Sequence, residues 1–241
     1  MKKFIAACTI AGALVSQAAV ITTNVAKDTY TRQGKPTMDI GGQNLVTFYQ
    51  SSARMLMEVD LSGVTQQIGG VTLTVRMNDG ANDENFTLSA YAMAYTANNY
   101  SWVEGTGMAE STVDTGSACH SYSSGTTPWE DSFGVGVGGI TNAALWVDSL
   151  ASMNVTWTNG EYLTITLDAD VFEFYRDNYG KIVIGMWSAD AAAGNFSFNS
   201  RSAGNADRRP VITIETIPEP ASIGLLAISA AVLMFRRRFM R

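Results

Sequence analysis

Apolar and polar side chains alternate strictly along the stretch Val71-Thr72-Leu73-Thr74-Val75-Arg76-Met77-Asn78. Successive side chains of a β-strand point to opposite faces, so this pattern predicts a strand with one face on a core and the other in water. Residues 55–61, 162–167 and 195–199 repeat the pattern, and Ile212 and Ile214 end it. A series of such half-buried strands is typical of antiparallel sheets.

Two segments depart from this alternation. Residues 182–187 are apolar on both faces, which predicts a central strand. A short helix is predicted after Asp170, which would cap it, with Glu173 in the capping-box position and Asn178 to Gly180 at its end. The sequence therefore predicts an all-β protein: an antiparallel two-sheet jelly-roll-like sandwich with one short helix, formed by a single domain over residues 19–216.

Composition and charge exclude several classes of protein. Apolar residues make up 46% of the 241 residues and charged residues 16%, which excludes a disordered or coiled-coil chain. Residues 19–220 hold ten Lys and Arg against 22 Asp and Glu. A body this acidic lacks the clustered cations that nucleic-acid binding requires, so no nucleic-acid partner is expected.

The N-terminus has the three parts of a secretory leader. Lys2 and Lys3 precede a short apolar run over residues 4–15, and small residues follow at Ala18 and Ala19. The pattern predicts a signal helix over residues 1–18 that signal peptidase removes after Ala18, with Ala19 as the second choice. An uncleaved membrane anchor is the alternative, although the run is shorter than the about 20 residues that a span requires.

The C-terminus has a corresponding arrangement. The tripeptide Pro218-Glu219-Pro220 is followed by an uncharged apolar stretch over residues 221–235 and by Arg236, Arg237 and Arg238. The stretch predicts a transmembrane helix, and the arginines would keep its end in the cytoplasm. The body would then lie outside the inner membrane.

This tail, residues 217–241, resembles the PEP-CTERM sorting signal of Gram-negative bacteria. The resemblance implies that Pro218, Glu219 and Pro220 are read by exosortase, a membrane-embedded transpeptidase that cuts the tail near this motif. The chain would be anchored transiently in the inner membrane and then reach the cell surface or the extracellular matrix. A C-terminal anchor that is never cleaved is the alternative.

The body resembles a second family. Its motifs occur in order: Asp28-Thr29-Tyr30, Arg54-Met55-Leu56 with Asp60-Leu61-Ser62, Trp102 to Gly107, Ser200-Arg201, and Arg209 to Ile214. They resemble the DNRLRE, or disaggregatase-related, family of secreted β-sandwich modules, some of which bind carbohydrate. Val59 and the loop after Trp102 depart from the family pattern. The resemblance implies a sandwich over residues 24–216 and leaves the sugar site to be found in this chain.

Aromatic residues supply the candidate glycan contacts. Tyr100, Trp102 and Trp129 fall in or beside residues 105–139, where Gly, Ser and Thr crowd the chain and long surface loops are expected. Planar rings stack on sugar faces, so these three residues are predicted to contact a polysaccharide. Packing in the core is the alternative for each of them.

Other site chemistry is sparse. The single histidine, His120, follows Cys119 directly, and adjacent side chains of an extended segment point apart, so no nucleophile–base pair is predicted. Asp79, Asp83 and Glu84 place hard oxygen ligands in one turn, which makes calcium the one cofactor to consider, against a solvated hairpin turn.

These observations predict a non-enzymatic, exported surface or matrix protein that binds polysaccharide or has a structural role. No catalytic residue is predicted. The alternative functions are a secreted polysaccharide-degrading enzyme, either a glycoside hydrolase or a lyase, and a passive matrix protein.

Overall fold

The structure is a computed structural model that describes residues 18–33, 41, 43–49, 52–80, 83–106, 116–188, 190 and 195–218. The described residues form thirteen strands: β1 (Val20–Asn24), β2 (Lys27–Arg32), β3 (Leu45–Tyr49), β4 (Ala53–Asp60), β5 (Ile68–Asp79), β6 (Asn85–Met93), β7 (Tyr122–Ser124), β8 (Thr127–Pro128), β9 (Trp146–Thr156), β10 (Tyr162–Leu167), β11 (Lys181–Ser188), β12 (Asn195–Asn199) and β13 (Val211–Thr216). They also form two α-helices, α1 (Ala97–Tyr100) and α2 (Ala169–Tyr179), and short 3-10 turns at Ala143–Leu145 and Ala206–Arg208.

The long strands form two antiparallel sheets. The first has the order β1-β13-β5-β12-β3, with β10 also paired to β5, and the second has the order β2-β4-β11-β6-β9. The first five strands alternate between the two sheets, as expected for a sandwich of jelly-roll type. The prediction of an all-β antiparallel sandwich is confirmed.

The alternation that predicted β5 also determines its faces. Val71, Leu73, Val75 and Met77 are buried, whereas the intervening residues are half-buried. On β10, Ile165 and Leu167 are buried, and Tyr162, Thr164 and Thr166 are exposed. These side chains pack with Phe196 and Phe198 of β12 and with Ile182, Ile184 and Met186 of β11. The core therefore lies between the two sheets, and β11 is a central strand as predicted.

The burial of strand β4 differs from the prediction. Leu56 and Glu58 were expected to face water, but every residue from Ala53 to Val59 is buried. A third layer of chain, formed by residues 94–106 and 116–145 and called the cover segment below, accounts for this burial. It packs on the outer face of the second sheet, where the hydroxyl of Tyr100 accepts the N–H of Val183 at 3.3 Å.

The cover segment corrects in part the prediction of surface loops over residues 105–139. Within that range Ala118, Ser123 and Trp129 are buried, whereas residues 132–136 are exposed. Two lysines attach it to the sheet: Lys27 Nζ bonds Glu58 Oε2 at 3.1 Å and the carbonyl of Trp102 at 3.1 Å, and Lys181 Nζ donates to the carbonyl of Tyr100 at 2.6 Å. The described part of this segment is thus an ordered layer of the protein.

Helix α2 begins two residues earlier than predicted. Asp168, not Asp170, is its N-cap, because the Asp168 carboxylate accepts the backbone N–H groups of Asp170 and Val171. The predicted capping-box role of Glu173 is wrong, since Glu173 instead pairs with Arg176 at 3.0 Å. Gly180 ends the helix with a φ of 69°, as the sequence indicated.

Several predictions concern residues outside the described part. All of the predicted signal helix over residues 1–18 except Ala18 lies there, as do the transmembrane helix over 221–235 and Glu219, Pro220, Arg236, Arg237 and Arg238. Of the helices that the structure does describe, none has the length and apolar character to cross a bilayer.

Candidate functional site

A groove opens between α2 and β9 at one end of the sandwich. Its cavity measures about 340 Å³ and is lined by Asp148 of β9 and by Asp170, Val171 and Phe174 of α2. The cap at Asp168 sets the start of α2, so that Asp170 lies in its first turn and Phe174 one turn further on. The volume falls in the range typical of small-molecule sites.

Phe174 lines this groove, and two further aromatic rings extend from it through ring contacts. Phe174 is 51% exposed and Tyr95 is 41% exposed, which are large fractions for apolar rings. Tyr95 stacks on Tyr179 with ring centroids 3.7 Å apart, and Phe174 meets Tyr179 edge-on at 5.9 Å. We call Tyr95, Phe174 and Tyr179 the aromatic ridge.

A buried hydroxyl links the ridge to the groove. Tyr175 is 2% exposed, and its Oη lies 3.0 Å from the carbonyl of Met93 and 3.3 Å from Asp148 Oδ2. Burial, followed by the charge of Asp148, raises the pKa of Tyr175 above its ordinary value. The phenol therefore stays protonated and can hold the Asp148 carboxylate in place.

The groove presents two kinds of recognition group. The ring of Phe174 offers an apolar face, and the carboxylates of Asp148 and Asp170 accept hydrogen bonds. A hydroxyl-rich ligand with an apolar face, such as a sugar ring, matches both.

The predicted glycan contacts are wrong for Tyr100, Trp102 and Trp129. Their side chains are 4%, 1% and 0% exposed, respectively. Trp129 Nε1 donates to the carbonyl of Cys119 at 2.9 Å, and Tyr100 Oη donates to the carbonyl of Met93 at 3.3 Å. The alternative of core packing is correct, because all three rings are enclosed between the cover segment and the second sheet.

The structure describes only part of the turn that was predicted to bind calcium. Asp83 is exposed with a φ of 63°, and Glu84 is half-buried, whereas the side chain of Asp79 and residues 81–82 lie outside the described part. Among the residues that are described, no group of three or more His, Cys, Asp and Glu could hold a metal ion. Calcium binding by this turn stays a prediction.

Cys119 and His120 are both buried in the cover segment. The ring of His120 packs against Gly139, and its Nε2 lies 3.2 Å from Thr141 Oγ1. Burial, with a smaller effect of Arg54, lowers the pKa of His120, and burial raises the pKa of Cys119. A neutral imidazole beside a protonated thiol fits a packing role.

A second polar cluster lies at the sandwich edge between β2 and the end of β12. Arg201 Nε lies 2.7 Å from Glu104 Oε1, and Arg201 Nη2 also contacts this carboxylate. The N–H of Asp28 donates to Glu104 Oε1 at 2.9 Å, and the Asp28 carboxylate accepts the N–H of Arg201 at 2.6 Å. Three distant segments are thus joined at one point.

Asp28 is the unusual member of this cluster. It is 0% exposed, and burial raises its pKa to about 7, with a further rise from Glu104 that the N–H of Arg201 opposes. A carboxyl with this pKa is suited to acid–base chemistry, but full burial keeps substrate away from it. The cluster is therefore a structural junction.

The two ends of the described body meet in the first sheet. Ala18 is exposed, and Ala19 pairs with Thr216, whose N–H donates to the carbonyl of Ala19 at 2.9 Å. Pro218, the first residue of the predicted processing motif, is half-buried and lies two residues beyond β13.

The comparison with family models concerns the tail. Residues 216–238 match the family model described as the PEP-CTERM protein-sorting motif, close to the predicted 217–241. The match indicates exosortase-sorted export and a membrane-anchored sorting intermediate in a Gram-negative bacterium. No curated protein matches the chain.

One solved structure is similar over most of the chain. It is the K1 cleaved adhesin domain of Lys-gingipain from Porphyromonas gingivalis W83, at 9% sequence identity and a TM-score of 0.30, covering 84% of this chain and 95% of that one.

Sequence reasoning missed the groove. Asp148 and Phe174 are separated by a turn, by β10 and by the start of α2, so no spacing in the sequence brings them together. The signal available in the sequence was Phe174, an aromatic residue that helical spacing places away from the face of Phe172 and Tyr175.

Proposed function

We propose that this chain is a non-enzymatic cell-surface or matrix module that binds polysaccharide in the groove between α2 and β9. The sorting motif at residues 216–238 supports its export by an exosortase system. The observation that carries the binding proposal is the aromatic ridge beside two carboxylates.

Stacking would provide much of the affinity. A sugar ring seated on Phe174 would cover apolar surface that is 51% exposed in the free protein. Tyr179 supports Phe174 edge-on, and its stacking on Tyr95 extends the apolar surface to a second exposed ring. Rings held by their neighbours lose little freedom on binding, which favours affinity.

Carboxylates would provide orientation. Asp148 and Asp170 would accept sugar hydroxyls, and Tyr175 would keep Asp148 in a fixed rotamer through its hydroxyl. Negatively charged groups in the groove favour neutral or amino sugars over uronates, because like charges repel in a partly enclosed site.

The likeness to the DNRLRE family supports the same class of function. Asp28, Glu104 and Arg201, which come from three of its motifs, form one hydrogen-bonded junction in this chain. Direct contact among motif residues is what a shared fold would produce. Under this proposal the motifs build the scaffold, and the groove supplies the ligand site.

A polysaccharide-degrading enzyme is the second candidate, because two carboxylates line one groove. Release of reducing sugar from any bound polysaccharide would favour this candidate. Binding without release would favour the module.

The test is glycan-array binding of the purified exported protein and of Phe174→Ala and Tyr95→Ala. Loss of one stacking ring should weaken binding about tenfold, equivalent to about 1.4 kcal/mol. Melting temperatures check that each variant still folds, because both rings are about half-buried and Tyr95 also stacks on Tyr179.

The matched control is Phe133→Ala. Phe133 is 89% exposed, lies in the cover segment and is not among the residues that line the groove. Equal binding by Phe133→Ala and the parent protein, with loss in the groove variants, is expected. Full binding by Phe174→Ala and Tyr95→Ala would refute the proposed site.

A further inference from the structure

Ala19, the first residue after the predicted leader, is hydrogen-bonded to β13, the last strand. Ala19 N–H donates to Thr216 Oγ1 at 3.0 Å, and the carbonyl of Ala19 accepts the N–H of Thr216 at 2.9 Å. Thr216 is 3% exposed, and its hydroxyl lies 2.6 Å from Gln66 Oε1. The chain therefore enters and leaves the fold at one point.

The sorting motif begins inside the fold at this point. The match starts at Thr216, the last residue of β13, and the N–H of Ile217 donates to the carbonyl of Gln67 at 2.8 Å. Pro218 follows directly. Pro218, the first residue of the processing motif, is half-buried, so the motif begins at the folded body.

Two exposed apolar side chains lie at this point, beside polar residues Thr65 to Gln67. Val20 is 65% exposed and Ile217 is 43% exposed, and Ile217 packs against Gly69. We call this surface, formed by Ala19, Val20, residues 65–69 and Ile217, the tether pole.

The opposite end of the sandwich is far from the tether pole. Strand β5 runs from Ile68 to Asp79, and β-strands rise about 3.3 Å per residue, so its ends are about 36 Å apart. The carbonyl of Glu161 accepts the N–H of Met77 at 2.9 Å, which places exposed Glu161 at the distal end.

We infer that the tether pole faces the inner membrane while the sorting tail is attached, so that the sandwich stands with its distal end away from the bilayer. Thr216 and Ile217 are hydrogen-bonded within the fold, so only residues 218–220 separate the body from the predicted transmembrane helix. A linker of this length is too short for the body to rotate its distal end toward the membrane. The leader and tail segments would meet the membrane side by side without breaking the pairing of β1 with β13. This inference rests on the sorting motif and is independent of glycan binding.

The test uses the full chain exported in a host that lacks exosortase, with inner-membrane vesicles prepared from it. A fluorescent label is placed at Gln67→Cys on the tether pole or at Glu161→Cys on the distal end, in a Cys119→Ser background. Lipids that carry a quencher are then added. Quenching several-fold stronger at Gln67→Cys is expected.

Thr65→Cys, at an exposed position of the same pole, replaces Gln67→Cys if that variant folds poorly. Detergent extraction should abolish the difference, since it removes the bilayer and keeps the chain intact. Equal quenching at both ends, stronger quenching at Glu161→Cys, or no quenching at the pole would overturn the inference.

Discussion

Asp28 shows how one residue can make stability depend on pH. Its folded pKa is about 7 against an ordinary value of 3.8, mainly because burial removes water from the carboxylate. A carboxyl whose pKa is raised by folding contributes stability that is complete below pH 3.8. That contribution is lost as the pH rises to about 7.

Asp28→Asn should therefore stabilise the protein more at pH 8 than at pH 4. The amide cannot ionise, and it can still accept the N–H of Arg201. The melting temperature of the variant relative to the parent should rise by at least about 3 °C between these pH values, equivalent to about 1 kcal/mol for this chain length. Thermal unfolding followed by circular dichroism measures it.

Asp60→Asn is the control of opposite sign. Hydrogen bonds from Ser62 lower the pKa of exposed Asp60, so its contribution is present above pH 3.8 and is lost on acidification. A melting-temperature difference for Asp28→Asn that does not change with pH would contradict the assignment.

For Trp102 and Trp129, residue type alone did not predict whether the side chain is exposed or buried. Both sit among Gly, Ser and Thr, where the sequence allows either a loop platform or a packed ring. What buries them is the second sheet, and the sequence does not reveal that the chain folds back over its outer face. Phe133, in the same segment, is 89% exposed.

At the scale of elements, the contact between Gly185 of β11 and Trp146, the first residue of β9, should be intolerant of added volume. A Cβ at Gly185 would lie 2.2 Å from the ring of Trp146, whose Nε1 donates to the carbonyl of Ile140 at 2.9 Å. Gly185→Ala should cost about 1–3 kcal/mol, because the indole cannot move without breaking this bond. Urea denaturation measures the loss.

Gly63→Ala is the matched control, since a Cβ there meets no atom within 4 Å. Its free energy of unfolding should stay within about 0.5 kcal/mol of the parent. Equal stability of the two variants would mean that Trp146 does not pack on β11.

The start of α2 gives a second prediction at this scale. Asp168→Ala should destabilise the protein by about 1 kcal/mol, because two backbone N–H groups lose their acceptor. Asp170→Ala should cost less in the same denaturation experiment, since Asp170 only adds charge to the first turn. A larger loss for Asp170→Ala would restore the boundary that the sequence suggested.

Strands were predictable from alternation and from the apolar run of β11, but the exposure of a strand face was not. Alternation identified β5 and β10, whose polar residues are half-buried or exposed. On β4 the same pattern misplaced Leu56 and Glu58, because the cover segment buries the face that would otherwise be solvated. Lys27 and Lys181 satisfy Glu58 there, at 3.1 and 3.6 Å.

At the scale of the whole molecule, the fold brings together the two ends that are predicted to be processed. Cleavage after Ala18 would keep the pairing of Ala19 with Thr216. Cleavage after Ala19 would remove the partner of Thr216. The sequence allowed both sites, and the sheet favours the first.

The groove could not be predicted from the sequence, because it exists only where α2 crosses the end of β9. The tail, in contrast, could be, since its motif, apolar stretch and arginines are contiguous. A motif of contiguous residues can be identified in a single sequence. A site assembled from distant segments can be identified only once the fold is known.

The intact mass of the protein extracted from the cell surface or matrix tests most directly whether an exported sandwich lies between a removable leader and a processed tail. The predicted mass corresponds to a chain that begins at Ala19 and ends near Pro218-Glu219-Pro220, without Arg236 to Arg241. A chain that retains Phe239 to Arg241, or that still begins at Met1, would contradict it.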